Sequence, residues 1–365
     1  MAAPTIQPGI MEIAPYVGGE SGIDGAAQVI KLSANESALG PSPAATESYA
    51  ALSAELHRYP DGHCTDLRQA VGEVHGVDPA RVVCGAGSDE IISLLCQAYA
   101  GPGDEVLYSR HGFLMYPISA RAAGATPVHA PEKDLTADVD ALLAAVTART
   151  RILFLANPNN PTGTYLPAAE MARLRSELRD DVLLVIDAAY AEYVERDDYR
   201  AGVELVEAHD NVVMTRTFSK IYGLGGMRLG WGYASAAVVD VLHHIRGPFN
   251  VGAAAQVAGV AAIRDEAFTA RVRAHNAEWL PWTRDRLREL GLAVTDSVGN
   301  FVLACFDGLA DHDAKGADAF LRQNGIIVRP MAGYGLPECL RITIGTAEEM
   351  RAVVDALARY LGRNA

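Results

Sequence analysis

Short apolar runs alternate with longer amphipathic stretches between about residues 80 and 235. The runs are rich in Val, Ile and Leu, and between them apolar residues recur at three- and four-residue spacing, as on one face of a helix. This alternation is typical of βαβ units and predicts an α/β fold with a mostly parallel sheet flanked by helices. The predicted strands are 81–84, 105–108, 126–129, 151–155, 182–186 and 211–215, and the predicted helices include 90–100, 139–148 and 167–178.

The alternation of short apolar runs and amphipathic stretches ends at about residue 250. A helical stretch over 253–290 is followed by strand candidates at 294–295, 300–306, 326–328 and 340–344, which predicts a smaller α+β domain. The first forty residues are rich in Pro and Gly and show little periodicity, so we expect an arm that lies across another surface. We therefore predict an arm over 1–40 that belongs to the small domain or to a dimer contact, a large domain over 41–250 and a small C-terminal domain over 251–365.

Composition and charge exclude several classes of partner. The chain has 365 residues, 50% of them hydrophobic, and a formal net charge of −14, which argues against binding to nucleic acid or to anionic membranes. No apolar run reaches the roughly 18 residues of a membrane span, and the N-terminal segment lacks the features of a signal peptide. We therefore expect a cytoplasmic protein that captures small anionic ligands through local groups.

The cysteines and histidines show no metal-binding pattern. The five cysteines form no CxxC pair, and the ten histidines show no HxxxH or HExxH spacing. We expect no metal site, and we expect the cysteines to be buried free thiols.

Candidate chemistry collects where the predicted strands end, because ligands of an open parallel sheet bind beyond the carboxyl ends of its strands. After strand 81–84, a glycine-containing turn over 85–89 enters a helix, and its free N–H groups suit a phosphate. Alone this signal is weak, since the spacing matches neither the Walker nor the dinucleotide fingerprint. After strand 151–155, the segment 157–163 holds two prolines and three asparagines, which suits a rigid loop that presents amides.

Two further strands lead to charged residues. Strand 182–186 is apolar throughout and is followed by Asp187, with Tyr190 three residues on. A buried carboxylate there either caps the following turn or meets a cation. The next strand leads to Lys220, which is flanked by hydroxyl side chains and followed by Arg228 among glycines. The alternative, a surface lysine in a flexible loop, explains neither the hydroxyl groups nor the glycines.

Together these strand ends meet the needs of one cofactor, pyridoxal 5'-phosphate. It requires an amine for a Schiff base, a carboxylate that keeps the pyridine nitrogen protonated, donors to the phenolate oxygen, and phosphate ligands. In that order the requirements are filled by Lys220, by Asp187, by Asn160 with Tyr190, and by Ser219 with Arg228 and the turn over 87–89. The joint pattern is far more specific than any of its parts.

Three segments carry a family resemblance, namely NPNNPTG at 157–163, DAAYAEY at 187–193 and RTFSKIYGLGGMRLGW at 216–231. They resemble the signature segments of fold-type I pyridoxal-phosphate aminotransferases, and most closely those of the histidinol-phosphate aminotransferases. The similarity extends over nearly the whole chain. It implies a large domain with a mostly parallel central sheet, a smaller α+β domain, and a homodimer with shared active sites. The implied reaction is transamination between L-histidinol phosphate and 2-oxoglutarate in histidine biosynthesis.

The resemblance also implies a role for each matching residue. Lys220 would carry the cofactor and transfer protons, while Asp187 would pair with the pyridine nitrogen. The other implied cofactor ligands are Asn160 and Tyr190 at the phenolate oxygen, Ser88, Asp89, Ser219 and Arg228 at the phosphate, and Tyr59 at the phosphate of the neighbouring subunit. Arg341 would bind the acidic group of the substrate, helped by Arg329, Tyr16 and Asn35. The sequence departs from the family at Phe113, where a Tyr commonly stacks on the ring, and at Ala188, where a Glu is usual.

Several alternatives stay open at this stage. The two substrate arginines are alternatively partners in strand-end salt bridges, and Tyr16 and Tyr59 are alternatively interface packing residues. We expect the pKa of Lys220 to be lowered by Arg228 and by the protonated ring. The rival reactions are an aromatic amino-acid aminotransferase and a decarboxylase on the same scaffold. A non-catalytic regulator that binds the cofactor is the remaining alternative, although the chain has no basic helix-turn-helix segment.

Overall fold

The computed structural model of the chain describes residues 4–23, 29–309 and 311–363. Parts of the predicted arm, residues 1–3 and 24–28, lie outside the described residues, as do residues 310, 364 and 365 of the predicted small domain.

The strands and helices follow the predicted alternation. The strands are β1 (Ile30–Lys31), β2 (Val82–Gly85), β3 (Glu105–Ser109), β4 (Thr126–Ala130), β5 (Glu132–Lys133), β6 (Thr136–Ala137), β7 (Thr150–Ala156), β8 (Leu183–Asp187), β9 (Val212–Thr217), β10 (Gly230–Tyr233), β11 (Ala293–Val294), β12 (Phe301–Cys305), β13 (Ile326–Ile327), β14 (Arg329–Met331) and β15 (Leu336–Thr343). The helices are α1 (Pro43–Ala51), α2 (Thr65–His75), α3 (Ser88–Tyr99), α4 (Met115–Ala122), α5 (Val139–Ala145), α6 (Ala168–Glu177), α7 (Val203–Ala208), α8 (Ala236–Ile245), α9 (Ala253–Arg264), α10 (Glu266–Glu289), α11 (Ala314–Gln323) and α12 (Ala347–Tyr360).

A seven-stranded sheet in the order β2-β10-β9-β8-β7-β3-β4 forms the centre of the molecule. Its neighbours are parallel except at β10, which runs antiparallel to both β2 and β9. Alternate residues of each strand enter the two apolar layers that cover the sheet. Thus Leu153 and Leu155 belong to one layer, while Ile152 and Phe154 belong to the other. The predicted α/β fold with a mostly parallel sheet is confirmed.

Strand β10 lies in the glycine-rich segment after Lys220, where no strand was predicted from the sequence. At Gly230 an added Cβ would lie 2.3 Å from the Ser88 backbone nitrogen. A side chain at this position would therefore push β10 away from the start of α3. Glycines in a sequence usually indicate a loop. Here they allow close packing of the backbone against a segment that is distant in sequence, and no local pattern shows this.

A second sheet, in the order β11-β12-β15-β14, belongs to the C-terminal part of the chain and is antiparallel throughout. Helices α11 and α12 pack with it in a separate apolar core. Strand β1 of the predicted arm pairs in parallel with β13, and Leu32 enters the same core. The end of the arm is thus built into the C-terminal part of the molecule.

The two apolar cores meet within the long helix α10. Helix α9 and the start of α10, including Phe268 and Val272, pack in the core of the large sheet, whereas Trp279 and Leu287 pack in the C-terminal core. The sequence pattern predicts the boundary between the large and small domains at residue 250, where the alternation of strands and helices ends. We propose that the large domain instead extends to about Val272, because α9 covers α1 and α2.

Two of the cysteines are not free. Cys305 and Cys339 lie opposite each other on β12 and β15 and form a disulfide, with their Cα atoms 4.0 Å apart. The expectation of free thiols is wrong for this pair because strand pairing joins residues 34 positions apart, and no short motif reveals that pairing. Cys64, Cys84 and Cys96 are buried free thiols as expected. In the described part of the chain, no helix is long and apolar enough to cross a membrane.

Candidate active site

One cavity of about 410 Å³ lies where the carboxyl ends of β7, β8 and β9 and the start of α3 meet the C-terminal domain and the arm. Its walls include every site residue predicted from the sequence except Tyr59. These are Tyr16, Asn35, Ser88, Asp89, Phe113, Asn160, Asp187, Tyr190, Ser219, Lys220, Arg228, Arg329 and Arg341. Residues spread over more than 300 positions of the sequence therefore surround one space.

Lys220 lies between the sheet and the arm. Its Nζ donates a hydrogen bond of 3.2 Å to the carbonyl oxygen of Ala34 and lies 5.8 Å from the centre of the Tyr190 ring. Burial, followed by the positive charge of Arg341, lowers the pKa of Lys220 to about 8. The Arg228 charge acts in the same direction but contributes less than Arg341. About a tenth of this amine is therefore neutral at pH 7.

Asp187 ends β8 and is 4% exposed. The hydroxyl of Tyr116 donates to its Oδ2 at 2.8 Å, and the hydroxyl of Thr215 donates to its Oδ1 at 3.2 Å. These donors take the place of the cation that sequence reasoning considered. Burial raises the pKa of Asp187 to about 6, although both hydroxyl groups act to lower it. A positive partner in the cavity would therefore favour the ionised carboxylate.

The start of α3 and Arg228 form a positive corner of the cavity. Gly87 precedes the helix with φ +86°, and a Cβ there would lie 2.4 Å from Arg228 Nη2, so glycine allows the guanidinium to approach. Arg228 donates to Asp89 Oδ2 at 2.9 Å and to Ser219 Oγ at 3.3 Å. The unbonded N–H groups of a helix N-terminus beside a guanidinium suit a phosphate group.

The opposite wall joins both domains to the arm. The Asn35 side chain donates to the Tyr190 hydroxyl at 2.9 Å, and burial raises the pKa of Tyr190 well above its usual value. Arg341 donates from Nη1 to Asn160 Oδ1 and from Nη2 to the carbonyl oxygen of Ser33. The Arg341 Nε is buried and finds no hydrogen-bond partner in the described part of the chain. This buried guanidinium thus bonds only to neutral oxygens.

Arg329 is held by the arm. Its two terminal nitrogens donate to the carbonyl oxygens of Val17 and Gly18, and the neighbouring Tyr16 lines the cavity with 49% of its surface exposed. As for Arg341, the observed partners are neutral oxygens rather than the carboxylate of a strand-end salt bridge. Among the described residues, no carboxylate forms a direct ion pair with Arg329 or Arg341, although Glu20 lies near enough for the Arg329 charge to lower the pKa of Glu20.

Phe113 and Tyr59 have different surroundings. Phe113 lines the cavity and meets Tyr116 edge to face, with ring centres 5.9 Å apart. Tyr59 is 84% exposed and stacks on Phe249 at 4.8 Å, away from the cavity of its own chain. Its role in a neighbouring subunit stays a prediction.

Tyr116, Thr215 and Tyr334 are among the residues of this site that were not predicted from the sequence. Tyr116 lies three residues after Phe113, so its helical spacing could have placed it beside that ring. Thr215 pairs with Asp187 in the register of β8 and β9, and both residues stand near the ends of predicted neighbouring strands. Tyr334, which lines the substrate side, gave no signal because it lies in a short turn of the C-terminal domain.

The residues of the cavity fit pyridoxal 5'-phosphate. An enclosed amine, a buried carboxyl, a hydroxyl and a positive corner lie around one space, and each is a group that the cofactor requires. Gly87 fits the phosphate end, since a Cβ there would lie 2.4 Å from Arg228 Nη2 and would displace the guanidinium.

Similarity to known proteins agrees with this site. The family model for aminotransferase class I and II matches residues 27–357. The histidinol-phosphate aminotransferases of Paramagnetospirillum magneticum and Rhodospirillum rubrum are 63% and 61% identical to the chain, covering 99% and 98% of it and 100% and 97% of their own lengths.

Solved structures give the same result for the fold. The histidinol-phosphate aminotransferase of Sinorhizobium meliloti in complex with pyridoxal-5'-phosphate is 28% identical, with a TM-score of 0.88 over 99% of this chain and 98% of that one. An aspartate aminotransferase of Thermus thermophilus, 23% identical, shares the fold with a TM-score of 0.80 over 91% of this chain and 92% of its own. The chain belongs to the class I and II aminotransferases, the pyridoxal-phosphate enzymes of fold type I.

Proposed function

We propose that this chain transfers an amino group between L-histidinol phosphate and 2-oxoglutarate, giving imidazole-acetol phosphate and L-glutamate. The observation that carries the proposal is one cavity that joins an enclosed amine, Lys220, to two guanidinium groups, Arg329 and Arg341, whose observed partners are neutral. Full-length similarity to relatives named for this reaction supports it.

The phosphate end and the ring end of the cofactor have separate ligands in this proposal. Bound pyridoxal 5'-phosphate supplies an aldehyde that takes up the substrate amine and a ring that withdraws electrons from the reacting carbon. Ser88, Asp89, Ser219 and Arg228 would hold its phosphate, and Phe113 would supply an apolar contact for its ring. Asp187 keeps the ring nitrogen protonated, while Asn160 and Tyr190 donate to the phenolate oxygen.

Lys220 performs the proton transfers. When the substrate amine displaces it, its Nζ is free to take the proton from the substrate carbon that carries that amine. The lowered pKa, about 8, leaves part of the amine unprotonated at neutral pH. Burial and the Arg341 charge therefore lower the pKa of the same amine that takes the proton.

Arg341 and Arg329 bind the acidic end of the substrate, with Tyr16 and Asn35 beside it. Histidinol phosphate has a phosphate where glutamate has a carboxylate, and a guanidinium pairs with either anion through two hydrogen bonds. Because the observed partners of Arg341 are neutral, an incoming anion replaces weak bonds with charged ones. Arg329 can bind it only by giving up or sharing its bonds to the arm.

We further propose a homodimer in which Tyr59 reaches the cofactor phosphate of the neighbouring subunit. Tyr59, Phe249 and Leu56 are exposed apolar side chains, 84%, 44% and 75% accessible, which is unusual for a surface without a partner. Lys220→Ala and Tyr59→Ala protomers, each inactive in a pure dimer, should regain activity when mixed. Absence of recovery in verified mixed dimers would contradict a shared site.

The substrate assignment is tested by comparing kcat/KM for histidinol phosphate and phenylalanine, each with 2-oxoglutarate. We expect a clear preference for the phosphorylated amine, because phenylalanine places no phosphate near Arg329 and Arg341. A strong preference for phenylalanine would instead indicate an aromatic amino-acid aminotransferase. Release of carbon dioxide without transfer of nitrogen would indicate a decarboxylase, and no turnover with any amine would indicate a regulator.

A further inference from the structure

The turn before α3 is held from behind by side chains that do not line the cavity. The Glu90 carboxylate turns back and accepts the Ala86 backbone N–H at its Oε2, with a distance of 2.6 Å. The same oxygen accepts the Asn250 side-chain amide at 2.7 Å, and that amide also donates to the Cys84 carbonyl oxygen at 3.2 Å. The turn between β2 and α3 is therefore bonded on its outer side to a segment far away in sequence.

Asn250 is itself fixed by Arg246. Arg246 Nη1 donates to Asn250 Oδ1 at 3.0 Å, and its Nη2 donates to the Gly62 carbonyl oxygen at 2.7 Å. The preceding residue, Phe249, has φ +56°, a backbone conformation that costs energy for an aromatic residue. Its ring stacks on Tyr59 at 4.8 Å. This otherwise unfavourable conformation persists because contacts on both sides of Phe249 fix the segment.

We propose that Glu90 and Asn250 are positioning residues that hold the turn Gly85–Gly87 in place to bind the cofactor phosphate. The inference rests on the proposed cofactor, not on the proposed substrate. The Glu90 carboxylate accepts the Ala86 N–H and the Asn250 amide, and it does not line the cavity. The turn then presents Gly87 to Arg228 and the start of α3 to the cavity.

The same network extends to the exposed Tyr59–Phe249 pair. Asn250 follows Phe249 directly, and Phe249 also lies against Gly62, the residue whose carbonyl Arg246 binds. Displacement of the aromatic pair would therefore be transmitted to the back of the phosphate turn through the backbone and Asn250.

The test separates the phosphate group from the rest of the cofactor. Apoprotein of each variant is titrated with pyridoxal 5'-phosphate and, separately, with pyridoxal, which lacks the phosphate, while visible absorbance is followed. For Asn250→Ala we expect affinity for pyridoxal 5'-phosphate to fall about tenfold, an effect equal in size to the loss of one hydrogen bond to the phosphate, with affinity for pyridoxal changed less than about twofold.

Three further variants make the comparison specific. Glu90→Ala should behave like Asn250→Ala, whereas Glu90→Gln, which keeps an acceptor oxygen for Ala86, should retain most of the affinity. Asn211→Ala is the matched control, because the Asn211 side-chain amide likewise donates two hydrogen bonds, to the backbone carbonyl oxygens of Asp180 and Val182, but at the opposite ends of the strands. It should lower thermal stability without changing either affinity.

Equal weakening of both ligands, or unchanged affinity for pyridoxal 5'-phosphate in a folded Asn250→Ala protein, would overturn the proposal. So would a selective loss of phosphate affinity in Asn211→Ala. If Glu90→Ala does not fold, Asn250→Ala alone decides, since it removes no charged side chain from the network. None of these titrations depends on which amine is the substrate, so failure here is distinct from failure of the proposed reaction.

Discussion

The cofactor side and the substrate side of the cavity are built in different ways. On the cofactor side, Asp187 ends β8, Lys220 follows β9 and Arg228 precedes β10, so strands of one sheet position all three. On the substrate side, Arg341 and Arg329 come from β15 and β14 of the other sheet, and they contact residues 181 and 311 positions away in sequence. The first set is positioned by one sheet, whereas the second depends on how the two domains and the arm meet.

The two sides also differ in the sign of their buried charged groups and in the partners that these groups have. Asp187 is buried against hydroxyl donors that compensate its charge only partly, which is reflected in its raised pKa. Arg341 and Arg329 bond to neutral oxygens and have no direct carboxylate partner among the described residues. Each side is therefore completed by a group of opposite charge, a ring cation for Asp187 and an acidic substrate for the arginines.

The largest effect is expected on the cofactor side. Lys220→Ala should reduce transamination to background, because no other amine in the described cavity can take the proton, while non-covalent binding of the cofactor persists. Steady-state assays measure the first property and titration of the apoprotein followed by visible absorbance measures the second, while borohydride should fix a label on the unsubstituted protein but not on Lys220→Ala. Lys315→Ala, on helix α11, is the control and should keep full activity. Multiple turnovers by Lys220→Ala would contradict the proposed role.

Asp187→Asn should lower kcat by orders of magnitude, since a neutral ring nitrogen withdraws electrons poorly. The apoprotein should instead gain stability. The folded pKa, about 6, lies above the usual value of 3.8, so the ionised carboxyl destabilises the folded state as pH rises through 6, and the penalty vanishes as pH falls toward 4. We expect a gain on the order of 2 to 3 kcal/mol at pH 7 to 8.

Denaturant unfolding of the two apoproteins between pH 4.5 and 8 measures this gain. Asp187→Asn and the unsubstituted protein should differ most at the upper end of the range and converge at the lower end. A difference that does not change with pH would show that packing, rather than ionisation, causes it.

Arg341→Ala should raise KM for both histidinol phosphate and glutamate by about tenfold to a hundredfold, as for the loss of a charged hydrogen-bonded pair. It should also shift the pKa of Lys220 upward, since the Arg341 charge lowers it. Kinetics from pH 6.5 to 9.5 measure both effects. Arg286→Ala, exposed on α10, is the control. An unchanged KM would mean that the acidic group binds elsewhere.

The smallest effect is expected for Arg329→Ala, with KM raised less than for Arg341→Ala. Its two bonds to the arm are lost as well, so limited proteolysis near Val17 and Gly18 should become faster. Faster proteolysis with an unchanged KM would assign Arg329 to the arm alone. A rise in KM without a change in proteolysis would assign it to the substrate alone.

Much of the cofactor side was predictable because its information is local. The period of apolar residues gave the strands, and Asp187, Asn160 and Lys220 follow those strands within a few residues. Tyr116 was not identified because its bond to Asp187 spans 71 residues and depends on how α4 packs on the sheet. Strand β10 was not identified because its glycines allow contact with a distant helix.

The sequence by itself therefore determined the α/β order, the cofactor and the set of charged groups, since periodicity and strand-end residues express local preferences. Tertiary structure alone decided which groups meet across the two domains. It placed Cys305 opposite Cys339 in a disulfide. It also brought Arg329 into hydrogen bonds with the arm, Arg341 into one with Asn160, and Glu90 into one with Asn250. Such pairs depend on chain closure over long loops, and residue type alone does not specify which partner each group will find.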